Sequence, residues 1–196
     1  MTTAEIKARP APIRKRPIVS NVVFGTSLFV FTEIMLFVAL ISSFIIIKRS
    51  TPEWAAPAAV TLPIVASAAN TFILSLSGAL MIWAGRLFAH EKTKSKAPTM
   101  FLYALVLGLM FVSFQGYEWV KLIRYGMTMT SGPFGATFYL LVGAHAIHVA
   151  LAVIIMAVMY TWFRKGRMRS EHLTAMQVYW LFVVGLWPVL YGLVYF

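Results

Sequence analysis

Long apolar stretches alternate with short polar segments along nearly the whole chain. A helix that crosses a hydrocarbon layer about 30 Å thick needs about 20 mainly apolar residues. Its backbone hydrogen bonds must then be satisfied within the helix, because lipid offers no partners. The segments between the apolar stretches contain Gly, Pro, Lys and Arg, which is typical of turns. The pattern therefore predicts five transmembrane helices, over residues 21–47, 62–89, 99–122, 134–163 and 173–196.

The connecting segments are too short to form another domain. We therefore expect a basic arm over residues 1–20, followed by one all-α, polytopic transmembrane domain over residues 21–196. The first apolar stretch begins too far into the chain, and is too long, to resemble a cleaved signal peptide. It is interpreted as a retained helix.

Composition supports a membrane protein and charge predicts its orientation. Hydrophobic residues make up 60% of the chain and charged residues 12%, whereas ordinary soluble domains have about 45–50% and 25%. With five spans, 13 of the 17 Lys and Arg residues lie on the side of the N-terminus. Because basic loops stay inside the cell, the N-terminus is predicted to be cytoplasmic and the C-terminus to lie outside.

The net charge of +11 could also suggest a nucleic-acid partner. Here the basic residues are divided among loop ends rather than gathered on one soluble face. Contact with anionic lipid headgroups explains the same charges, with Arg86 as one candidate. We therefore expect no nucleic acid partner. The absence of cysteine excludes disulfides, thiolate metal ligands and a cysteine nucleophile.

One carboxylate is predicted to lie deep in the membrane. Glu33 is about 18 Å along the first helix at 1.5 Å per residue. His145 and His148 enter from the opposite side, about 16 and 21 Å along the fourth helix, and their spacing places both on one face. An isolated carboxylate at this depth is costly unless it is protonated or paired. One histidine is therefore expected to contact Glu33, either as a structural hydrogen bond or as part of a proton relay or ligand site.

Cofactor binding and catalysis by this chain alone are not expected. Two haem-ligating histidines approach from opposite faces of the ring, whereas His145 and His148 point the same way from one helix. His90 and His172 lie at loop ends. There is no G-x-S-x-G, H-E-x-x-H or phosphate-loop motif. We therefore interpret the chain as having no catalytic residues, no metal ligands and no bound cofactor of its own.

The second predicted helix carries small and weakly polar residues at intervals of three to four positions. Such residues let helices approach closely and form interhelical hydrogen bonds in a membrane. The predicted packing stripe consists of Ser67, Asn70, Thr71, Ser75 and Gly78. Trp119 and Trp162 lie near predicted span ends, where aromatic residues commonly anchor a helix at the interface.

Five segments in order resemble subunit III of the haem-copper respiratory oxidases, in the short five-helix form of bacterial cytochrome c and quinol oxidases. They are TEIMLF, NTFILSLSGALMIWA, FQGYEW, GPFGATFYLLVGAHAIHV and VYWLFVVGLW. The resemblance covers residues 20–196. The fourth segment is the most specific, because its glycines, aromatic pair and two histidines all follow the spacing of the family.

The resemblance implies an accessory subunit of an oxidoreductase complex in a bacterial inner membrane. The haems and copper would be held by subunit I, with subunits II and IV as further partners and a respiratory supercomplex as an open alternative. Structural phospholipid would occupy a cleft between the first two helices and the remaining bundle, and the subunit would support proton uptake and sustained turnover. The membrane carboxylate of the family matches Glu33, the histidine pair matches His145 and His148, and the carboxylate of the third helix matches Glu118.

The last helix departs from the family pattern. Family members commonly read Y-W-H-F-V-D, whereas this chain reads YWLFVV, with Leu181 and Val184 at the histidine and aspartate positions. Gly185 and Pro188 are expected to loosen this helix. Two alternatives remain open from the sequence: an accessory protein of a nitric oxide reductase, and a small membrane transporter. A transporter would be expected to show inverted repeats or interrupted helices, and the five unequal spans show neither.

Overall fold

The structure, a computed structural model, describes residues 20–52, 54 and 64–195. Its helices are α1 (Asn21–Ser50), α2 (Ile64–Phe88), α3 (Ala97–Arg124), α4 (Pro133–Arg164) and α5 (Ser170–Tyr195). All five are long and apolar enough to cross a membrane. This confirms the all-α prediction of five such helices, and the described residues form no strand. The predicted basic arm lies outside the described residues, apart from Ser20.

Local sequence sets the helix ends. The Ser20 side chain accepts a hydrogen bond from the backbone N–H of Val23 at 3.3 Å and so caps α1. Pro98 and Pro133 occupy first-turn positions of α3 and α4, where a missing backbone N–H costs nothing. Gly132 precedes α4 with φ of 107°, which L side chains rarely adopt. α5 begins at Ser170, earlier than predicted. The prediction followed the apolar residues and so left out the first turn, which contains the polar Glu171 and His172.

Four of the helices form a closed bundle, with α2 against α3 and α5, and α4 against α3 and α5. Helix α1 lies outside this bundle, against α4 and α5. Within the described residues α1 does not pack against α2. The expected grouping of the first two helices, set apart from the rest by a cleft, is therefore wrong for this chain. Hydrogen bonds to α3 and α5 hold α2 inside the bundle instead.

Burial differs sharply between the bundle and α1. The bundle encloses large side chains that are almost fully buried, among them Phe101, Phe111, Phe138, Trp180 and Trp187. The buried residues of α1 are Val30, Phe37 and Phe44, which recur every seven residues. Residues seven apart lie on one line of a helix. Helix α1 therefore buries one line of side chains, with the partly buried Leu40, Ile41 and Ile45 beside it, and most of its other apolar side chains are exposed.

Helix α5 runs without interruption through Gly185 and Pro188 to Tyr195. The expected loosening therefore does not break the helix. Val184 packs against Gly78 of α2, where an added Cβ would lie 3.0 Å from Val184 Cγ1. The aliphatic residue at the family's aspartate position thus fills the space that the glycine leaves on α2.

Candidate functional site

Glu33 of α1 and His148 of α4 form the polar contact between the outer helix and the bundle. The Glu33 Oε2 atom lies 2.7 Å from His148 Nε2. The side chains of Glu33 and His148 are 14% and 15% exposed. Since α1 and α4 run in opposite directions, residues near the middle of each helix come to the same depth. The pair therefore lies deep in the predicted membrane-spanning part of the molecule.

The second ring nitrogen of His148 determines how many protons the pair holds. His148 Nδ1 lies 2.7 Å from the backbone carbonyl oxygen of Ala144. A carbonyl can only accept, so Nδ1 carries a proton and donates it. The short contact at Nε2 then needs one further proton between Nε2 and Glu33. The pair is either a protonated glutamic acid with neutral histidine or a carboxylate with an imidazolium, and it has no net charge in either form.

Aromatic rings lie on the helices beside this pair. The Phe37 ring, one turn after Glu33, meets the His148 ring edge-on with centroids 5.3 Å apart. Phe29, one turn before Glu33, lies 5.8 Å from the Tyr179 ring of α5. A hydrogen bond between polar groups is favoured in such surroundings, because neither group has a good alternative partner.

His145 occupies a different environment from His148. Its side chain is 1% exposed, and its ring stacks on Trp187 with centroids 5.1 Å apart and planes 24° apart. Neither ring nitrogen has a hydrogen-bond partner among the described residues. Of the two histidines that the sequence proposed as partners of Glu33, the structure brings His148 to it and places His145 in the bundle core.

The predicted packing stripe of α2 lies in the bundle at four of its five positions. Thr71 accepts a hydrogen bond from Trp187 Nε1 at 2.9 Å. Asn70 Nδ2 donates to the Phe111 carbonyl and to Gln115 Oε1 of α3. Ser67 and Gly78 are buried. These contacts tie α2 to both α3 and α5.

Ser75 is the exception. It is exposed, and its hydroxyl donates to the Thr71 carbonyl of its own helix at 2.9 Å. Ser77 takes the interhelical position instead: its hydroxyl donates to the Ala104 carbonyl at 2.8 Å and accepts from Trp180 Nε1 at 3.1 Å. A step of two residues turns the side chain by about 200° around the helix. The assignment of Ser75 to the stripe is therefore corrected to Ser77, which sequence spacing missed.

Glu118 lies near the end of α3, where its side chain is 16% exposed and lines a pocket of about 210 Å³. Its carboxylate is 3.6 Å from the ammonium of Lys121, one turn further on. Ser67, Asn70 and Gln115 line the same pocket. The structure thus joins the predicted helix-end carboxylate to the polar end of the α2 stripe, a connection that the sequence pattern does not predict.

Arg86, the residue predicted to contact a lipid headgroup, lies apart from the apolar groove of the molecule. Arg86 is exposed at the end of α2, in a shallow recess with His90 and Lys92. An apolar groove of about 500 Å³ runs between α1, α4 and α5, and Arg86 is not among the residues that line it. The lining residues are Val22, Thr26, Phe29, Leu151, Ile154, Ile155, Val158, Met159, Trp162, His172, Ala175, Met176 and Tyr179.

Among the described residues, no group of three or more His, Cys, Asp or Glu side chains is placed to hold a metal ion. The arrangement around Glu33 and His148 can hold and share a proton. Its two members belong to different helices, so it also fixes α1 against α4.

Comparison with known proteins identifies the family. The family model described as cytochrome c oxidase subunit III matches residues 13–196. A cytochrome c oxidase subunit 3 of Synechocystis sp. is 28% identical over 176 residues, covering 88% of this chain and 74% of that protein.

Two further relatives span most of the chain. A probable cytochrome c oxidase subunit 3 of Rickettsia conorii is 28% identical over 94% of this chain and 69% of its own length. The corresponding subunit of Salmo salar is also 28% identical, over 91% of this chain and 70% of its own length. With a family match over nearly its full length and five apolar helices in place, this chain belongs to the cytochrome c oxidase subunit III family.

Proposed function

We propose that this chain is a non-catalytic subunit of a haem-copper terminal oxidase in a bacterial inner membrane, where it packs against subunit I and prolongs turnover. The proposal rests on the family match, and the observation that adds to it is the Glu33–His148 pair, 2.7 Å apart and deep between two helices. While it holds its shared proton, such a pair places no net charge in lipid. In an oxidase that takes up protons, a proton held between these two side chains would support turnover without taking part in oxygen reduction.

The proposed orientation has the N-terminus in the cytoplasm. The ends of α2 and α4, together with the loops that follow them, carry eight Lys and Arg residues, whereas the ends of α1 and α3 carry four. A single cysteine can be introduced in each loop, because the chain has none of its own. Membrane-impermeant thiol reagents should label cysteines near Arg124 in intact spheroplasts and those near Lys165 only after lysis. The reverse labelling would contradict this orientation.

Association with an oxidase is tested by purifying the tagged full-length chain in a mild detergent from cells that express it in place of the chromosomal copy. It should migrate on a native gel with a haem-carrying subunit and with oxygen-reducing activity. Nitric oxide reduction by the same band would identify the alternative complex. Migration free of any haem protein, or stoichiometric haem on the chain after its partners are removed, would contradict the proposal.

The supporting role is tested by comparing complexes purified with and without this chain. The initial rate of oxygen reduction should be similar, because no electron-transfer centre is proposed here. Activity should then be lost over fewer turnovers when the chain is missing. Equal turnover lifetimes would contradict the proposal that this chain prolongs turnover. The family assignment would not be affected.

Retained phospholipid is the second part of the proposal. The groove beside α1 is lined almost entirely by apolar side chains, which suits an acyl chain. The basic residues Arg164 and Arg169 lie close in sequence to its Trp162 and His172, where they can meet a phosphate group. Lipid bound there would fill the space along α1 that the protein leaves open.

Mass spectrometry of the purified complex should therefore find phospholipid that survives detergent exchange. Leu151→Trp, which adds bulk inside the groove, should reduce the retained amount. Val106→Trp on the exposed face of α3 serves as a matched control and should not. Full retention in the Leu151→Trp complex would place the lipid elsewhere.

A further inference from the structure

The pocket that Glu118 lines lies between α2 and α3, at the end of the bundle where α2 begins and α3 ends. Among the described residues that line it, Glu118 alone is charged. Helix α3 has 28 residues, so at 1.5 Å per residue it is about 42 Å long. A hydrocarbon layer about 30 Å thick, centred on this helix, leaves about 6 Å at each end. Glu118, about 9 Å before the end of α3, therefore lies close to the level of the lipid headgroups.

The Glu118 carboxylate has an ionic partner but no hydrogen-bond donor among the described residues. Its Oε2 atom is 3.6 Å from Lys121 Nζ, whereas charge-assisted hydrogen bonds are about 2.7–2.9 Å long. The Glu118 side chain is mostly buried, so water reaches only part of it. An ionised carboxylate can only accept hydrogen bonds, and it accepts the strongest ones from charged donors. The pocket therefore favours a ligand that brings a cationic N–H group to Glu118.

A second glutamate–lysine pair at the same spacing shows what distinguishes Glu118. Glu91 and Lys94 are also three residues apart, and Lys94 Nζ donates to Glu91 Oε1 at 3.0 Å. The Glu91 side chain is 87% exposed. Lysine and water together satisfy the Glu91 carboxylate, whereas Glu118 receives no hydrogen bond from its lysine and has little contact with water.

Lys121 and the apolar side of the pocket restrict the ligand further. The Lys121 side chain is 45% exposed, so its ammonium can meet an anion beside Glu118. Phe114, one turn before Glu118 and deeper in the predicted membrane, lines the pocket together with Ile73 of α2. A ligand that uses all of these groups carries a cation, a neighbouring anion and an apolar chain.

We propose that the α2–α3 pocket binds phosphatidylethanolamine. The lipid ammonium donates to Glu118, the phosphate lies near Lys121, and one acyl chain packs against Ile73 and Phe114. An ethanolamine headgroup joins its ammonium to its phosphate by a short link, which suits two opposite charges that lie 3.6 Å apart on the protein. The site is separate from the groove beside α1 and does not depend on the proposed role in turnover.

The charges of the site favour this headgroup over the alternatives. A phosphoglycerol headgroup offers Glu118 only neutral hydroxyl donors, which form weaker hydrogen bonds with a carboxylate. The trimethylammonium of phosphocholine has no N–H to donate. A lysine from another subunit would supply the donor, but Lys121 would repel it and it would leave the apolar side of the pocket unfilled.

The test uses the full-length protein extracted with the subunits that it retains and reconstituted with photoreactive lipids. The three probes are phosphatidylethanolamine, phosphatidylcholine and phosphatidylglycerol, each with the same diazirine-bearing acyl chain. After illumination, peptide mass spectrometry locates the cross-links on this chain. The ethanolamine probe should label residues 66–73 or 110–118 about tenfold more than either other probe, which is the effect of one hydrogen bond to a charged group.

Glu118→Gln tests the recognition of the headgroup. The amide keeps the size of the side chain and removes its charge, so labelling by the ethanolamine probe should fall to the level of the choline probe. Glu91→Gln is the matched control, because it makes the same change in a pair of the same spacing. It should leave the labelling of residues 66–73 and 110–118 unchanged.

Ala69→Leu tests the position of the lipid. Ala69 is exposed and lines the pocket, so a leucine there adds bulk where the lipid would lie and should reduce the labelling about tenfold. Ala68→Leu is the matched control, since Ala68 is also exposed but does not line the pocket. A general effect of leucine at this end of α2 would appear in both variants.

The combined results decide the proposal. Preferential labelling by the ethanolamine probe that both Glu118→Gln and Ala69→Leu remove supports it. Equal labelling by the three probes would show an apolar crevice without headgroup recognition and would overturn it. A preference that survives Glu118→Gln would also overturn it, as would the absence of labelling by all three probes because another subunit fills the pocket.

Discussion

Helices α1 and α2 are both long and apolar, yet they are joined to the rest of the protein in different ways. The described residues give α1 a line of three buried side chains and one polar interhelical contact, Glu33 with His148. Helix α2 has seven buried residues and receives or makes several interhelical hydrogen bonds, among them those of Asn70 and Ser77. The polar contacts of α2 are therefore distributed over its length, whereas α1 combines apolar packing against α5 and α4 with one polar pair.

This difference follows from the absence of a hydrophobic driving force inside lipid. Apolar side chains gain little from moving from lipid to protein, so close packing and hydrogen bonds must hold the helices together. A helix with many such contacts tolerates the loss of one. A helix with a single polar contact should be sensitive to that residue, and the following substitutions test this contrast from the largest expected effect to the smallest.

Trp180→Ala should have the largest effect. Trp180 is fully buried, donates to Ser77 and lies so close to Gly108 that an added Cβ there would be 2.8 Å from its ring. Its removal leaves a cavity and takes from the Ser77 hydroxyl the hydrogen bond that it accepts, with an expected loss of about 3–5 kcal/mol of unfolding free energy. Thermal unfolding of the extracted protein, followed by circular dichroism, should shift down by about 10 °C.

The matched control is Trp83→Ala, since Trp83 is a tryptophan of α2 whose side chain is 52% exposed. It should unfold at nearly the wild-type temperature. Equal shifts for the two variants would mean that the α2–α5 packing does not dominate the stability of the bundle.

Glu33→Ala should have the next largest effect. It leaves His148 Nε2 without its partner and weakens the joint between α1 and α4, with an expected cost of about 1–3 kcal/mol. Glu33→Gln should retain most of the stability, because the amide NH₂ can donate to Nε2 while His148 Nδ1 continues to donate to Ala144. A measured difference between the two variants in thermal unfolding checks this.

Pairs of spin labels can show whether α1 alone is released. The chain has no cysteine, so labels can be placed at exposed Phe31 of α1 and Ile154 of α4, and for comparison at Leu76 of α2 and Val106 of α3. In Glu33→Ala the first distance distribution should broaden and the second should not. Broadening of both, or of neither, would contradict a single joint that holds α1 to an independent bundle.

Ser77→Ala should cost less than Glu33→Ala, about 1 kcal/mol, because the Trp180 indole loses its acceptor while other α2 contacts remain. Ser75→Ala is the matched control on the same helix, and its hydroxyl contacts only its own backbone. The Ser75 variant should unfold within about 1 °C of wild type. A larger loss for Ser75→Ala would place the packing stripe on the other face of α2.

Glu118→Ala should have the smallest effect. The Glu118 carboxylate and Lys121 ammonium are 3.6 Å apart, and the lysine side chain is 45% exposed. Ion pairs with an exposed partner of this kind contribute less than about 0.5 kcal/mol. The unfolding temperature should therefore change little, in low or in high salt. A loss as large as that of Glu33→Ala would show that Glu118 stabilises the neighbouring polar pocket as well.

The Glu33 contact shows which features of the site follow from sequence. Depth in the membrane follows from residue count, so the sequence alone places Glu33, His145 and His148 at similar levels. It does not choose between the two histidines, because that choice depends on how α4 is rotated. Packing against α3 and α5 turns His145 towards Trp187 and leaves His148 facing α1.

The α2 stripe shows the same limit. Four of the five predicted residues lie in the bundle, but the exposed Ser75 and the buried Ser77 are both serines with apolar neighbours on each side. The sequence does not single out Gln115, Trp180 and Trp187, because a polar or aromatic residue in an apolar stretch carries no sign of its neighbour. Their hydrogen bonds to α2 depend on how the bundle is assembled.

The sequence by itself determined the number of apolar helices, their approximate ends and the depth of their polar groups. These follow from the thickness of a bilayer and from the fixed rise of an α-helix. The tertiary structure decided which face of each helix points inward, that α1 lies outside the bundle, and that Glu33 meets His148. In a soluble helix the polar face reveals the outside, but lipid accepts the same apolar side chains as the protein core, so only packing between helices could settle these questions.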